Sequence, residues 1–179
     1  LLEIMKRLTY TTSSKDPELR TLAPEPYYKK HPFGIFSVLY HLEKMNWTID
    51  RLGYHETFTP AQCSKHLREF KPELIYSYGV TALGPILARN KAGLRTTPIV
   101  HCWEDYYAEL WKAKKGFPAG LIIGLLENII IRKSDYVITI SKYNQARAAK
   151  WGKKSWYVPV SCDPPDFDTS RCNIQLKGA

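Results

Sequence analysis

The segment that decides the fold is residues 134–163, SDYVITISKYNQARAAKWGKKSWYVPVSCD. Its β-branched run at 136–140 is too short for a helix and predicts a buried strand. Ser141 is a good N-cap, and the Ala-, Lys- and Arg-rich stretch that follows it ends at Gly152, which predicts a helix over 142–151. A second apolar run at 156–160 predicts another strand. The order strand, helix, strand implies a parallel sheet with a right-handed crossover.

The same alternation of strands and helices occurs earlier in the chain. Strands are predicted at 5–12, at 47–52 or 47–54, at 73–78 and at 97–102. Helices are predicted at 35–45, at 60–70 with Thr59 as N-cap and Pro60 in the first turn, at 81–91, and as one apolar helix that ends at about 133. The proline-rich residues 13–31 predict a long loop. Six strands with five connections predict an α/β fold, a Rossmann-like doubly wound parallel sheet in a three-layer α/β/α arrangement.

The composition is that of an ordinary globular protein, with 44% hydrophobic and 24% charged residues among 179. No apolar run reaches the roughly 18 to 20 residues that a membrane-spanning helix needs. The first ten residues, LLEIMKRLTY, lack the pattern of a secretory signal, so we expect a cytoplasmic protein. The four cysteines have neither the density of a disulfide scaffold nor a C-x-x-C spacing, so we expect reduced thiols.

The net charge of +9 is unevenly distributed. Between Lys112 and Lys154 ten Lys or Arg residues occur with only Glu127 and Asp135 as acidic residues. A solvated basic face explains this imbalance, and so does a surface that binds phosphorylated ligands or an anionic membrane. Nucleic acid is the weakest of the possible partners, because no recognised nucleic-acid-binding module accompanies the charge.

Three segments carry a resemblance to a known family: PIVH at 98–101, ISKY at 140–143 and VPVSCD at 158–163. They resemble the end of the N-terminal domain in retaining glycosyltransferases of family 4. The resemblance implies that residues 1–163 form one half of a GT-B fold, the acceptor-side domain. It also implies that residues 164–179 begin the interdomain linker or a tail, and that a C-terminal Rossmann-like domain in the same or another chain binds the donor.

The resemblance implies that His101 is catalytic, lying near the acceptor and the reacting sugar. The alternative is a histidine whose hydrogen bonds are satisfied in the core. Glu104 and Asp105 are predicted to accept hydrogen bonds from the acceptor, or to cap the helix that follows. Trp103 is predicted to stack on a sugar face, or to pack against its neighbours.

Other candidate contacts follow the ends of the remaining strands. Tyr78 and Gly79 end the third predicted strand, and Ser141 and Asn144 begin the helix after the fifth. We count all four among the acceptor-binding residues, although an N-cap and a first-turn polar residue are alternative roles for the latter two. Gly34 in the first loop is a candidate donor contact, or a simple turn glycine.

No spacing of histidines or carboxylates suggests a metal site, and the resemblance implies a nucleotide-sugar co-substrate without a metal cofactor. The predicted function is therefore that of the acceptor-side domain of a retaining glycosyltransferase. It moves a sugar from a nucleotide-diphosphate donor to a sugar or lipid-linked acceptor and needs a second domain for full activity. The alternative is a non-catalytic basic binding module that docks on an anionic membrane, at its inner face, or on a partner protein.

Overall fold

The computed structural model describes residues 6–11, 41–42, 44–52 and 59–159. These residues contain six strands that pair in parallel in the order β2-β1-β3-β4-β5-β6. The strands are β1 (Lys6–Thr11), β2 (Trp47–Leu52), β3 (Leu74–Tyr78), β4 (Ile99–Trp103), β5 (Tyr136–Thr139) and β6 (Ser155–Tyr157). The predicted six-stranded, Rossmann-like α/β architecture is confirmed.

Helices connect the strands, as the alternation predicts. They are α1 (Pro60–Phe70), α2 (Leu83–Ala88), α3 (Tyr107–Lys115), α4 (Phe117–Lys133) and α5 (Lys142–Lys150), and a 3₁₀ turn over Gly79–Ala82 leads into α2. Residues 41, 42 and 44, at the end of the helix predicted for 35–45, are also helical.

The strand order places a topological switch point between β1 and β3. The chain moves from β1 outward to β2 and then returns past β1 to β3, after which each new strand is added on the far side. In open α/β sheets, ligands bind in the crevice outside the carboxyl ends of the strands at such a point. The fold therefore predicts a ligand-binding site at the carboxyl edge near Tyr78.

The two faces of the sheet carry separate clusters of core residues. One face presents Ile75 and Ile99 to Leu67 of α1, and Val137 to Ala148 of α5. The opposite face presents Leu8, Tyr76 and Cys102, against which Leu42 packs. Alternate residues of a strand point to opposite faces, so this separation gives the three layers that were predicted.

The apolar helix predicted to end near residue 133 is two helices. Gly116 separates α3 from α4 with φ at +85°, a conformation that favours glycine, and its N–H still bonds to the carbonyl of Lys112. Pro118 occupies the first turn of α4, where a missing N–H costs nothing. The helix predicted for 81–91 is shorter, ending at Ala88, and no predicted strand end differs from the observed one by more than three residues.

Several predictions lie outside the described residues: the loop at 13–31, Gly34, the start of the helix at 35–40, the turn at 161–163 and the tail at 164–179. Cys63 and Cys102 are buried, whereas the other two cysteines are outside the described ranges. Within these ranges, no helix is long and apolar enough to cross a lipid bilayer.

Candidate functional site

The carboxyl ends of three neighbouring strands bring most of the predicted site residues to one edge of the sheet. Tyr78 ends β3, Trp103 ends β4 and is followed by Glu104, and Ser141 lies two residues beyond the end of β5. Because the strands are parallel and adjacent, these positions share the same edge. The predicted grouping at this edge is present.

Glu104 lies among hydroxyl and thiol groups at the carboxyl edge. The Cys102 thiol donates to Glu104 Oε1 across 3.7 Å. Burial, with the negative charge of Glu104 as a smaller cause, raises the pKa of Tyr78 and of Tyr76, so both hydroxyls lie near this carboxylate. A carboxylate has about four lone-pair positions. The half-buried Glu104 therefore keeps further accepting capacity beside its bond from Cys102.

The donors around Glu104 keep their protons at neutral pH. Burial raises the pKa of Tyr78 to about 12 and that of the Cys102 thiol to about 12. Burial also raises the pKa of Tyr76 and of Tyr107. Since the thiolate is the nucleophilic form of cysteine, Cys102 serves here as a donor and not as a nucleophile.

Gly79 makes room for Tyr107 beside the end of β3. The glycine has φ at +57°, and a Cβ added to it would lie 3.3 Å from the Tyr107 hydroxyl oxygen. A larger residue would therefore crowd the Tyr107 side chain and would strain the backbone. The structure supports a positioning role for Gly79.

Ser141 and Asn144 connect α5 to the loop that carries Glu104. The Ser141 hydroxyl accepts from the Asn144 backbone N–H at 3.1 Å, which confirms Ser141 as the N-cap. The Asn144 side-chain amide donates to the carbonyl oxygens of Glu104 at 3.3 Å and of Trp103 at 3.5 Å. The buried Asn144 thus fixes the backbone of the loop.

A buried carboxylate supports the same loop from the helical side. Glu127 Oε1 accepts from Trp103 Nε1 at 3.1 Å and from the Tyr107 backbone N–H at 3.0 Å. Glu127 Oε2 lies 3.8 Å from an amino group of Arg147, whose guanidinium carbon is 3.7 Å from the ring centroid of Tyr106. Desolvation by burial raises the pKa of Glu127. These contacts clamp residues 103–107 between α4 and α5.

Two predicted site residues are enclosed in the core. His101 is 3% exposed in the middle of β4, with Nδ1 3.2 Å from the Ser77 hydroxyl, and burial lowers its pKa to about 3. Its ring is therefore neutral at ordinary pH, with the contact expected of a core histidine. The Trp103 ring, 1% exposed, stacks on Trp151 with centroids 5.4 Å apart. Their roles toward a ligand stay predictions, as does that of the exposed Asp105.

Sequence reasoning missed several residues of this edge, among them Tyr76, Cys102, Glu127 and Arg147. The sequence does contain a pattern that indicates some of these residues. The segments Y-x-Y at 76–78 and C-x-E at 102–104 have the two-residue period of a strand. Their members share one face of neighbouring strands. Glu127 also stands out as the only acidic residue of an otherwise apolar helix.

Within the part of the chain that the structure describes, no group of three or more histidine, cysteine or acidic side chains could hold a metal ion. The chemistry available at the edge is that of one oriented carboxylate, neutral hydroxyl donors and aromatic faces. Such a set binds polar groups by hydrogen bonds.

No protein-family model and no curated protein matches the chain. A solved structure, that of Glycyrrhiza uralensis UGT73P12 complexed with glycyrrhetinic acid 3-O-monoglucuronide, is similar to it with a TM-score of 0.49 and 12% sequence identity. The match covers 86% of this chain and 48% of that one, so the chain spans about half the length of that protein. A likeness this weak says nothing about activity.

Proposed function

We propose that the chain is the acceptor-side domain of a retaining glycosyltransferase, similar to those of family 4. The observation that carries the proposal is the Glu104 carboxylate, which accepts from the Cys102 thiol at the carboxyl edge, next to the strand β3 that borders the switch point. The family resemblance of segments 98–101 and 140–143 supports it from the sequence.

The chemistry of the edge suits a sugar hydroxyl as ligand. A carboxylate accepts a charge-assisted hydrogen bond from a hydroxyl and so directs the acceptor oxygen. The Tyr78 hydroxyl and the ring faces nearby match the mixed polar and C–H surface of a pyranose. Holding the acceptor oxygen in one orientation lowers the entropic cost of reaching the transition state.

The remaining parts of the proposal come from the resemblance. The donor is a nucleotide-diphosphate sugar, the reaction retains the anomeric configuration, no metal takes part, and a second Rossmann-like domain in the same or another chain holds the donor. His101 stays a predicted catalytic residue, whereas Glu104 has the accessible position that we assign to the acceptor.

Nuclear magnetic resonance of the ¹⁵N-labelled chain tests the location of the acceptor site. Titration with octyl glucoside, octyl mannoside and octyl galactoside below their micelle concentrations should shift amide signals of residues 78–79 and 104–107. Glu104→Gln should weaken binding about tenfold, since a hydrogen bond to a charged group is worth about 1.5–3 kcal/mol.

Two controls make this titration specific. Octyl tetraethylene glycol has the same alkyl chain without a sugar and should leave these amides unshifted. Glu109→Gln, at an exposed acidic position on α3, should bind like the parent chain. Equal affinities of the two glutamate variants, or no shifts at 78–79 and 104–107 with any glycoside, would count against the site.

A further inference from the structure

The outer side of α4 is an exposed apolar stripe. Its five large side chains have exposed fractions from 43% at Ile129 to 66% at Phe117. They recur at helical spacing along one side of the helix over more than three turns: Phe117, Leu121, Ile122, Leu125 and Ile129. A surface helix normally carries polar residues on that side, and contiguous apolar patches mark sites of interaction.

The opposite side of α4 packs against the rest of the protein. Gly120, Glu127, Ile130 and Ile131 are buried. At Gly120 the helix lies so close to α3 that an added Cβ would be 2.9 Å from the Ala108 carbonyl oxygen. The helix is thus held in place by one side, and the apolar stripe on its other side is exposed.

Basic residues lie at both ends of the stripe. Exposed Lys114 and Lys115 precede it at the end of α3, and exposed Arg132 and Lys133 follow it at the end of α4. The two helices contain only two acidic residues: Glu109, 3.5 Å from the ammonium of Lys112, and the buried Glu127. The stripe therefore has positive charge at each end, and the one exposed carboxylate of these two helices, that of Glu109, is paired with Lys112.

The stripe extends past the edge of the sheet that carries Glu104. Glu127 accepts from the backbone of Tyr107 and is therefore level with the end of the loop after β4. Phe117 precedes Glu127 by ten residues, about 15 Å along the helix axis. Because α4 runs back toward the start of β5, its first half projects beyond the carboxyl edge.

We propose that this stripe, Phe117 to Ile129 with the basic residues at its ends, docks the protein on an anionic lipid bilayer. The apolar side chains enter the boundary between headgroups and acyl chains, and the basic side chains meet anionic headgroups. Two copies of the chain pairing through this stripe would instead place the basic ends of one helix near those of the other, and that repulsion favours the membrane. The proposal does not depend on sugar transfer.

Flotation of the full chain with vesicles tests the proposal. We expect binding to vesicles of phosphatidylcholine with phosphatidylglycerol, weakening as salt rises, and little binding to phosphatidylcholine alone. Leu121→Gln with Leu125→Gln should reduce the partition coefficient at least tenfold, whereas Leu87→Gln, at a similarly exposed leucine of α2, should not. Lys114→Gln with Lys115→Gln should reduce it about tenfold or more at low salt, and Lys65→Gln with Lys91→Gln should change it less.

Three results would overturn the proposal. One is an absence of binding to the anionic vesicles at low salt by a folded chain, with folding checked by circular dichroism. Another is equal loss of binding in the α4 double variant and in Leu87→Gln. The third is concentration-dependent dimerisation that the α4 double variant abolishes, without vesicle binding by the parent chain, which would assign the stripe to contacts between copies.

Discussion

His101 and Glu104 lie three positions apart and have opposite surroundings. Residues 101 and 103 point to the face of the sheet that α4 and α5 cover, while 102 and 104 point to the face shared with Tyr76. His101 is therefore enclosed beside Ser77, and Glu104 emerges at the edge, where the Cys102 thiol donates to it. The alternation along one strand decides which of the two side chains a ligand can reach.

The burial of His101 predicts a sensitivity to acid. Its pKa is about 3 in the folded chain against 6.5 for the ordinary side chain, so below about pH 6.5 the unfolded state binds a proton that the folded state does not. Stability is therefore lost as the pH falls. Between pH 7 and pH 5 the parent chain should lose about 2 kcal/mol more unfolding free energy than His101→Gln, measured by urea denaturation.

Other groups also titrate between pH 5 and pH 7, so the test is a comparison of the parent chain with His101→Gln. The unfolding free energy of each chain is measured at pH 7 and at pH 5. Only the amount by which the parent's loss exceeds the loss of His101→Gln is assigned to His101. If the parent and His101→Gln lose the same free energy, the histidine is not held neutral by burial.

At the scale of elements, α3 and α4 form a hairpin whose contact depends on small residues. An added Cβ at Gly120 would lie 2.5 Å from Lys112 Cβ, whereas one at Gly124 would lie 3.5 Å from Ala108 Cβ, an ordinary contact. The close approach of α4 to α3 requires a glycine at position 120 but not at position 124. The hairpin in turn holds Glu127 under the loop that carries Glu104.

This difference predicts opposite effects of the same substitution at two positions of one helix. Alanine gains about 1 kcal/mol of helix propensity over glycine at either position. At Gly120 we expect the clash with α3 to outweigh this gain, with a net loss of about 1–3 kcal/mol. Gly124→Ala should be at least as stable as the parent. Thermal and urea unfolding measure both, and equal stability of the two variants would contradict the hairpin geometry.

Most strands and helices were predictable from the local pattern of the sequence. Over 134–157 the strand, the N-cap at Ser141 and the helix were all expected and are confirmed, because β-branched runs and caps act within a few residues. The break at Gly116 was missed, since the apolar and basic pattern continues through it. Only the left-handed backbone of that glycine marks the boundary between two helices.

At the scale of the whole molecule, the candidate site depends on register between strands. The sequence predicted that residues after β3, β4 and β5 share an edge, because parallel strands end together. It did not predict that Tyr78 stands opposite Cys102, whose thiol donates to Glu104. Such a pairing joins residues more than twenty positions apart, so no local pattern reveals it.

In the whole molecule, the α3–α4 hairpin connects the candidate site with the proposed docking stripe. The α3–α4 hairpin begins at the loop that carries Glu104, and its apolar stripe extends beyond the same edge of the sheet. A protein docked by this stripe would hold the carboxyl edge near the bilayer surface. A lipid-linked acceptor would then reach the site without leaving the membrane.

The most direct test is the initial rate of transfer of labelled sugar from nucleotide-diphosphate sugars to sugar and lipid-linked acceptors. It is measured with this chain together with the donor-binding domain that the proposal requires, in the same or another polypeptide. We predict transfer that Glu104→Gln lowers about tenfold to a hundredfold in kcat/KM, because one charge-assisted hydrogen bond to the acceptor is weakened. Glu109→Gln should transfer like the parent. No transfer from any donor tested, or equal rates for the two glutamate variants, would contradict the proposed function.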